Sequence, residues 1–247
     1  MMKAVLLVLS QPGSPTVEAE YNDWYTNTHV PEGLVVPGYT RVTRYKAFTG
    51  WDPFPQKYLS LHELDVESVD DIRRVRDNHL QHVVDGKIGR ARDGVIDRSL
   101  NRGRYYIEVE PEQHSKATPA QTPNSVFITY NQPKTPDVTD EYNRWSRDVH
   151  LPDVLACPGF IRAQRFRLTD VSMIDAPWVT DLEYVNIYQH TATNVDDYNA
   201  AFAKVREGIA GGKIVMTDTL TPGAPTSVYG RISPPQTAQT TQAGLNA

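Results

Sequence analysis

The chain has 247 residues, 39% hydrophobic and 22% charged, with a net charge of −5 and a pI near 5.8. That length holds one large or two small cored domains, and the acidic balance leaves no basic footprint, which argues against nucleic acid as the main partner. A single cysteine, Cys157, excludes an internal disulfide framework and makes the cytoplasm the expected compartment.

The first predicted element is a strand over Lys3 to Leu9. Its apolar core, Ala4 to Leu9, is too short for a leader or a membrane span and suits a strand buried on both faces. Gln11 to Pro15 breaks it, and from Thr16 the spacing turns helical, with Val17, Tyr21, Trp24, Tyr25 and Thr28 on one face. Pro31 is expected to end this helix, because the residue before a proline avoids helical dihedrals. His29 would then lie in the last turn, among unpaired carbonyls that favour its protonated form. Past the Pro37-Gly38 turn, Tyr39 to Lys46 alternates as a strand with Tyr39, Arg41, Thr43 and Tyr45 on one face. Residues 48–56 form a loop, and Tyr58 to Leu64 is the clearest strand, with Leu59 and Leu61 opposite Tyr58, Ser60 and His62. Ser68 caps a helix that starts at Val69 with acidic residues in its first turn, and Arg104 to Val109 makes a final strand.

Residues 111–124 have linker composition. The order then recurs: strand Ser125 to Tyr130, helix Val138 to about Val149, strands Phe160 to Leu168 and Asp181 to His190, helix Val195 to about Glu207, strand Ser227 to Ile232. Ser233 to Ala247 is polar, without pattern, and is expected to be disordered.

The recurrence is written in the residues themselves. A shift of 121 pairs Glu20, Tyr21, Asn22, Trp24, His29, Pro31, Leu34, Pro37, Gly38, Arg41 and Arg44 with identical residues from Glu141 to Arg165, 11 identities in 25 positions. From the third strand onward the shift is 126, which places five extra residues around Met173 to Pro177. Such a period is too long for a solenoid and right for a small domain. The predicted fold class is therefore α+β: two tandem ferredoxin-like β-α-β-β-α-β units, 1–110 and 125–232, from an internal duplication.

The motif Tyr21-Asn22-x-Trp24 with His29-x-Pro31, then Pro37-Gly38-Tyr39, then Tyr58 through His62-Glu63, resembles the EthD-like branch of the dimeric α/β-barrel superfamily. The resemblance spans nearly all of both units. It implies two sheets packed face to face into a barrel, here within one chain as an intramolecular pseudo-dimer, with a pocket between sheet and helices in each unit. Members of the family so implied are cofactor-free dehydratases, decarboxylases, cyclases and isomerases; more distant ones are cofactor-free monooxygenases and tandem-unit haem enzymes. Fold alone does not choose among these chemistries.

His29 and His150 are the first candidate catalytic groups, imidazoles able to move a proton between carbon and oxygen. Each is equally suited to capping its helix. Tyr58 and His62, with Tyr184 and Tyr188 in the second unit, lie on strand faces where phenols and an imidazole could polarise an enolate oxygen, or simply pack the barrel. Arg41 and Arg162 are candidate clamps for a substrate carboxylate or carbonyl, with the acidic residues of neighbouring helices as the alternative partners. Trp24 and Trp145 are candidate pocket walls or core. His79 and His82 lack the carboxylate and histidine company of a metal site, so no metal is expected. The exchange of His62 for Tyr188 points to the first unit as the active one. The expected function is a lyase or isomerase of dehydratase or decarboxylase type, needing no cofactor and acting on an apolar, oxygenated aromatic or polyketide-like molecule. The alternatives are a haem-dependent or cofactor-free oxidoreductase, or a non-catalytic binding protein of a degradation pathway. The expected partner is the small molecule itself, with further pairing of pseudo-dimers left open.

Overall fold

In the computed structural model, which describes residues 1–239 and 241, the chain closes an eight-stranded antiparallel barrel flanked by helices. The elements run β1 (Met2–Ser10), α1 (Glu18–Trp24), a π-helical turn (Tyr25–His29), α2 (Val30–Leu34), β2 (Tyr39–Ala47), β3 (Tyr58–Val66), α3 (Val69–Val84) and β4 (Arg102–His114). The second half repeats them as β5 (Ser125–Asn131), α4 (Thr139–Trp145), a π-turn (Ser146–His150), α5 (Leu151–Leu155), β6 (Phe160–Ser172), β7 (Tyr184–His190), α6 (Val195–Ala210) and β8 (Thr226–Arg231), followed by β9 (Gln236–Thr237). The strand order is β3-β1-β4-β6-β7-β5-β8-β2, and the β2–β3 pairing closes the ring. Each half thus supplies four adjacent strands in the same internal order, and the β4–β6 and β8–β2 ladders join the halves. No helix among the described residues is long and apolar enough to cross a membrane.

The two faces of every strand have separate duties. Leu59 and Leu61 of β3 point into the barrel with Val5, Leu7, Val126, Ile128, Val185 and Ile187, an apolar plug of branched side chains. Such residues alternate with those facing the helices, as the pleat requires. The face turned to the helices carries the aromatic and polar residues: Tyr58 and His62 in half one, Tyr184, Asn186 and Tyr188 in half two. Imidazoles and phenols thus lie under the helices, while the barrel interior keeps its own charged residues, Glu63, Glu112 and Arg162, toward one mouth.

Several sequence expectations change. Pro31 does not end the first helix; the backbone passes through a π-turn and continues to Leu34. Proline is tolerated because it enters at the first turn of the new α segment, where an amide needs no intrahelical acceptor. A bulge between Tyr39 and Arg41 rotates Tyr39 to the helix side while Thr43 and Tyr45 face the barrel, so the predicted single face is split. The predicted linker 111–124 begins as strand, since β4 runs to His114 against β6. The predicted disordered tail holds β9, hydrogen-bonded to β2 at Arg41 and Val42; its remainder at 240 and 242–247 lies outside the described residues.

Gly38 and Gly159 make the turn into β2 and β6 with φ of 109° and 87°. A Cβ on Gly159 would stand 2.3 Å from the His190 ring, and one on Gly38 would stand 2.3 Å from Val75, so both turns need glycine for backbone and for space.

Candidate functional site

In half one the π-turn delivers His29 against Trp24, the rings stacked at 4.7 Å and 22°. Tyr25 meets the same imidazole edge-on at 5.0 Å. Two further imidazoles converge from other elements. His62 comes from the helix-facing side of β3, and His79 from the buried face of α3 that also carries Ile72 and Val75. The His29 and His79 ring centres are 6.5 Å apart, and Tyr39 lies 5.5 Å from His62 and 5.9 Å from His79. The Tyr39 hydroxyl is tied to that of Tyr105 at 2.7 Å, which fixes its ring between the histidines.

These three histidines line one mostly apolar cavity of about 200 Å³, walled by Leu6 and Val8 of β1. Met173 and Ile174 reach over from half two to line it as well, so the five extra residues predicted near that position help build the pocket of the other half. Arg90 and Arg98 add two guanidinium-bearing side chains to its lining.

Burial dominates the electrostatics. Removal from water pushes the imidazolium of His29 down to about 4, with His79 and Arg44 nearby adding repulsion and the Gly89 backbone partly opposing it. His62 is pushed down to about 3 and His79 to about 4, again by desolvation first and by neighbouring histidines second. The expectation of a protonated His29 at a helix end is thereby overturned: the helix does not end there, and the low-dielectric surroundings favour the neutral ring. Each of the three keeps one buried ring nitrogen without a partner: Nδ1 of His29, Nε2 of His62 and Nδ1 of His79. Buried polar atoms are ordinarily paired with protein or water, and the convergence of three such imidazoles on one cavity makes it the candidate site. No group of three metal-ligating side chains is close enough to hold an ion among the described residues.

The Trp–His pair recurs in half two, with Trp145 and His150 stacked at 4.6 Å and 25°, and burial lowers His150 to about 4. They line a different cavity of about 430 Å³, with Asn131, Asn186 and a proline-glycine loop at 220–224. The remaining predicted residues lie elsewhere. Tyr58 accepts from Asn22 at 3.0 Å and donates to Glu18, outside the three-histidine cavity. Tyr184 packs under the Arg165 guanidinium at 4.0 Å, and Tyr188 stacks on Phe127 at 5.6 Å in the core of half two. Arg41 and Arg162 stand at the barrel mouth in a separate cavity, Arg41 3.6 Å from Glu63 and Arg162 3.4 Å from Glu112. The acidic partners come from strands rather than from helices. Arg44 and Arg165 are fully buried: Arg44 holds Asn22 and Thr26 of the first helix, and Arg165 holds Asn143 and the carboxylate of Glu110.

His79, weighed in the sequence only as a metal ligand beside His82, is a functional candidate of the cavity. The signal was present: Ile72, Val75 and His79 follow one another at spacings of three and four on the apolar stripe of α3. Tyr39 was hidden by the bulge, and Met173 and Ile174 by lying in the other half.

No protein-family model matches the chain, and no curated protein matches it. Similar solved structures do exist. An anthrone oxidase-like protein superposes with a TM-score of 0.57 at 13% identity, over 96% of this chain and 93% of that one. A monooxygenase candidate from Lactobacillus acidophilus NCFM gives 0.54 at 9% identity, over 96% and 97%. Chlorite dismutase from Candidatus Nitrospira defluvii, in complex with imidazole, gives 0.51 at 7% identity, over 99% and 95%. At such identities the likeness is one of fold.

Proposed function

We propose that the protein is an oxidoreductase that works without a bound organic or metal cofactor. It would oxidise a compact, electron-rich aromatic or enolisable ketone with dioxygen in the three-histidine cavity of half one. The observation that carries this reading is the set of unpaired buried nitrogens on His29, His62 and His79 around a mostly apolar space of about 200 Å³. Neutral imidazoles in a dry pocket can accept a proton from an acidic C–H or O–H and donate N–H to the oxygen that gains charge. A substrate anion formed beside His29 would stabilise the imidazolium that desolvation alone disfavours. The carbanion then adds dioxygen, its electron pair forming the new C–O bond, and the imidazolium returns its proton to the outer oxygen to give a hydroperoxide. Loss of the second C–H proton with O–O cleavage leaves C=O and one water, four electrons in all passing from the carbon to O₂. His62 and His79 would hold the enolate oxygen, Trp24 and Tyr25 would flank the ring, and Arg90 and Arg98 at the edge of the cavity would favour electron-rich ligands. The oxidase and monooxygenase names of the fold neighbours support this chemistry over elimination. The further readings that go with it are a tandem pair of ferredoxin-like units, 1–110 and 125–232, in the EthD-like branch of the superfamily, in a cytoplasmic protein. The three-histidine cavity, at about 200 Å³, lies below the roughly 300–1,000 Å³ of sites for drug-sized molecules and suits a compact substrate better than a haem.

Anthrone is the first substrate to try, with oxygen uptake and product absorbance as readouts. Turnover that needs oxygen and drops at least about a hundredfold in His29→Ala or His62→Ala supports the reading, since that is the usual worth of a positioned acid or base. Turnover undiminished under argon would instead assign the cavity to dehydration or decarboxylation, the lyase reading built on the same imidazoles. Retention of an added ligand unchanged would assign it to binding alone.

A further inference from the structure

Each histidine-bearing π-turn is followed by a proline, and the combination leaves one carbonyl without a donor of its own helix. In half one the Val30 amide bonds to the Tyr25 carbonyl, five residues back, instead of to Thr26. The Thr26 carbonyl would next turn to residue 31, but that is proline and has no N–H. In half two the Leu151 amide likewise takes the Ser146 carbonyl, and Arg147 is left facing Pro152.

Both carbonyls are met by a glutamine from outside the helix. Gln236 Nε2 donates to Thr26 O at 2.8 Å, and Gln113 Nε2 donates to Arg147 O at 2.9 Å. The two glutamines hold equivalent ladder positions, Gln236 opposite Val42 on β2 and Gln113 opposite Ala163 on β6. Val42 and Ala163 are themselves 121 residues apart, the shift of the repeat. Pro234-Pro235-Gln236 is therefore the second copy of Pro111-Glu112-Gln113, and the duplication continues into the segment that composition marks as an unstructured tail.

We propose that Gln236 is a positioning residue for His29, and that residues 233–237 act as a clasp on the π-turn. A π-turn carries one residue more than the α-helix would, and each residue of α-helix turns the side chain by about 100°. With the Thr26 carbonyl satisfied, the longer turn is retained and His29 stays stacked on Trp24, facing the cavity. Return to α register would pair the Thr26 carbonyl with the Val30 amide and leave the carbonyl of exposed Asn27 facing Pro31, where water can meet it. Loss of the Gln236 donor therefore favours that register and swings the imidazole off the indole. Arg44 assists from beneath, donating to the Thr26 hydroxyl at 2.6 Å. The importance of this position for turnover rests on the function proposed above; the position itself does not.

The test compares Gln236→Met with Gln113→Met in the full chain, each keeping side-chain length and losing the donor. The readout is the set of ring-proton NMR resonances of His29 and His150, which the stacked indoles shift. Gln236→Met is expected to move the His29 signals toward those of a free imidazole, leave His150 in place, and slow anthrone oxidation about tenfold, the scale of one lost hydrogen bond. Gln113→Met is expected to do the reverse for the rings and to leave the rate unchanged. If Gln236→Met does not fold, Gln236→Asn, one methylene too short, is expected to shift the same His29 signals in the same direction. His29 signals that stay fixed in the folded variant, or both histidines moving in both variants, would overturn the clasp. The resonances need no substrate, so a protein inactive on anthrone still decides the matter.

Discussion

Half one and half two set the same tryptophan against the same histidine, at 4.7 and 4.6 Å, and part company one layer deeper. Where half one brings up His62 and His79, half two has Tyr188 and Val205, both buried in apolar core. Trp51 crosses from half one to pack edge-on against Phe127, Tyr198 and Phe202, filling half two with aromatic rings. Met173 and Ile174 cross the other way to wall the three-histidine cavity, while the half-two cavity of about 430 Å³ lies against His150, among Asn131, Asn186 and the loop at 220–224. The comparison teaches that the scaffold fixes the Trp–His pair, while the neighbouring strand, helix and crossing loop decide what lies around it.

The buried arginines offer the hardest way to break the symmetry. Arg165 is 1% exposed and pairs with Glu110 at 2.9 Å, whereas Arg44 has only neutral partners. Arg165→Met leaves a buried carboxylate uncompensated and is expected to cost about 3–5 kcal/mol in urea unfolding. Arg44→Met strands only neutral acceptors, and the smaller loss of about 1–3 kcal/mol is expected.

Acid should act mainly on the histidines. Because His29 titrates near 4 in the folded chain against an ordinary value of 6.5, the unfolded chain binds the extra proton first. Stability from this group is complete above about pH 6.5 and is lost as the pH falls toward 4, by about 3 kcal/mol at most for one such histidine. A series of urea midpoints between pH 7 and pH 4 checks the sign. His62→Tyr, which copies half two, should flatten that slope by removing one titrating ring.

The same His62→Tyr variant is expected to lose about a hundredfold in anthrone turnover, about 2.7 kcal/mol of transition-state stabilisation, measured by oxygen uptake. Tyr188→His is expected to confer none, since half two has Val205 where α3 carries His79, and its His190 is committed to the Ala192 amide at 2.9 Å and to Gly159 rather than to the cavity of His150. The smallest effect is the most direct check on the crossing loops. Trp51→Ala should cost about 2 kcal/mol, less than a fully buried tryptophan because Trp51 is only half-buried. It should also open a space in half two that takes up xenon in a crystal.

Much of this architecture was legible in the chain. Eleven identities at one shift announced two copies, and the period-two leucines of Tyr58 to Leu64 placed His62 on the face away from them. The helix-facing histidine on α3 was legible too, through its spacing from Ile72 and Val75, but a pattern of three residues is easily read as surface. The bulge at Tyr39 was not legible, because one extra residue in a strand leaves no mark in composition yet moves every side chain before it to the other face.

By itself the sequence determined the duplication, the strand and helix order, and the recurrence of Trp24-His29 as Trp145-His150, since all of these follow from local periodicity and self-comparison. Tertiary structure alone decided the protonation of those histidines, the passage of the helix through Pro31, and the docking of Gln236 beneath a turn two hundred and ten residues away. The physical reason is common to all three: desolvation and the satisfaction of a stranded carbonyl depend on what closure of the barrel brings alongside, and sequence distance carries no record of that.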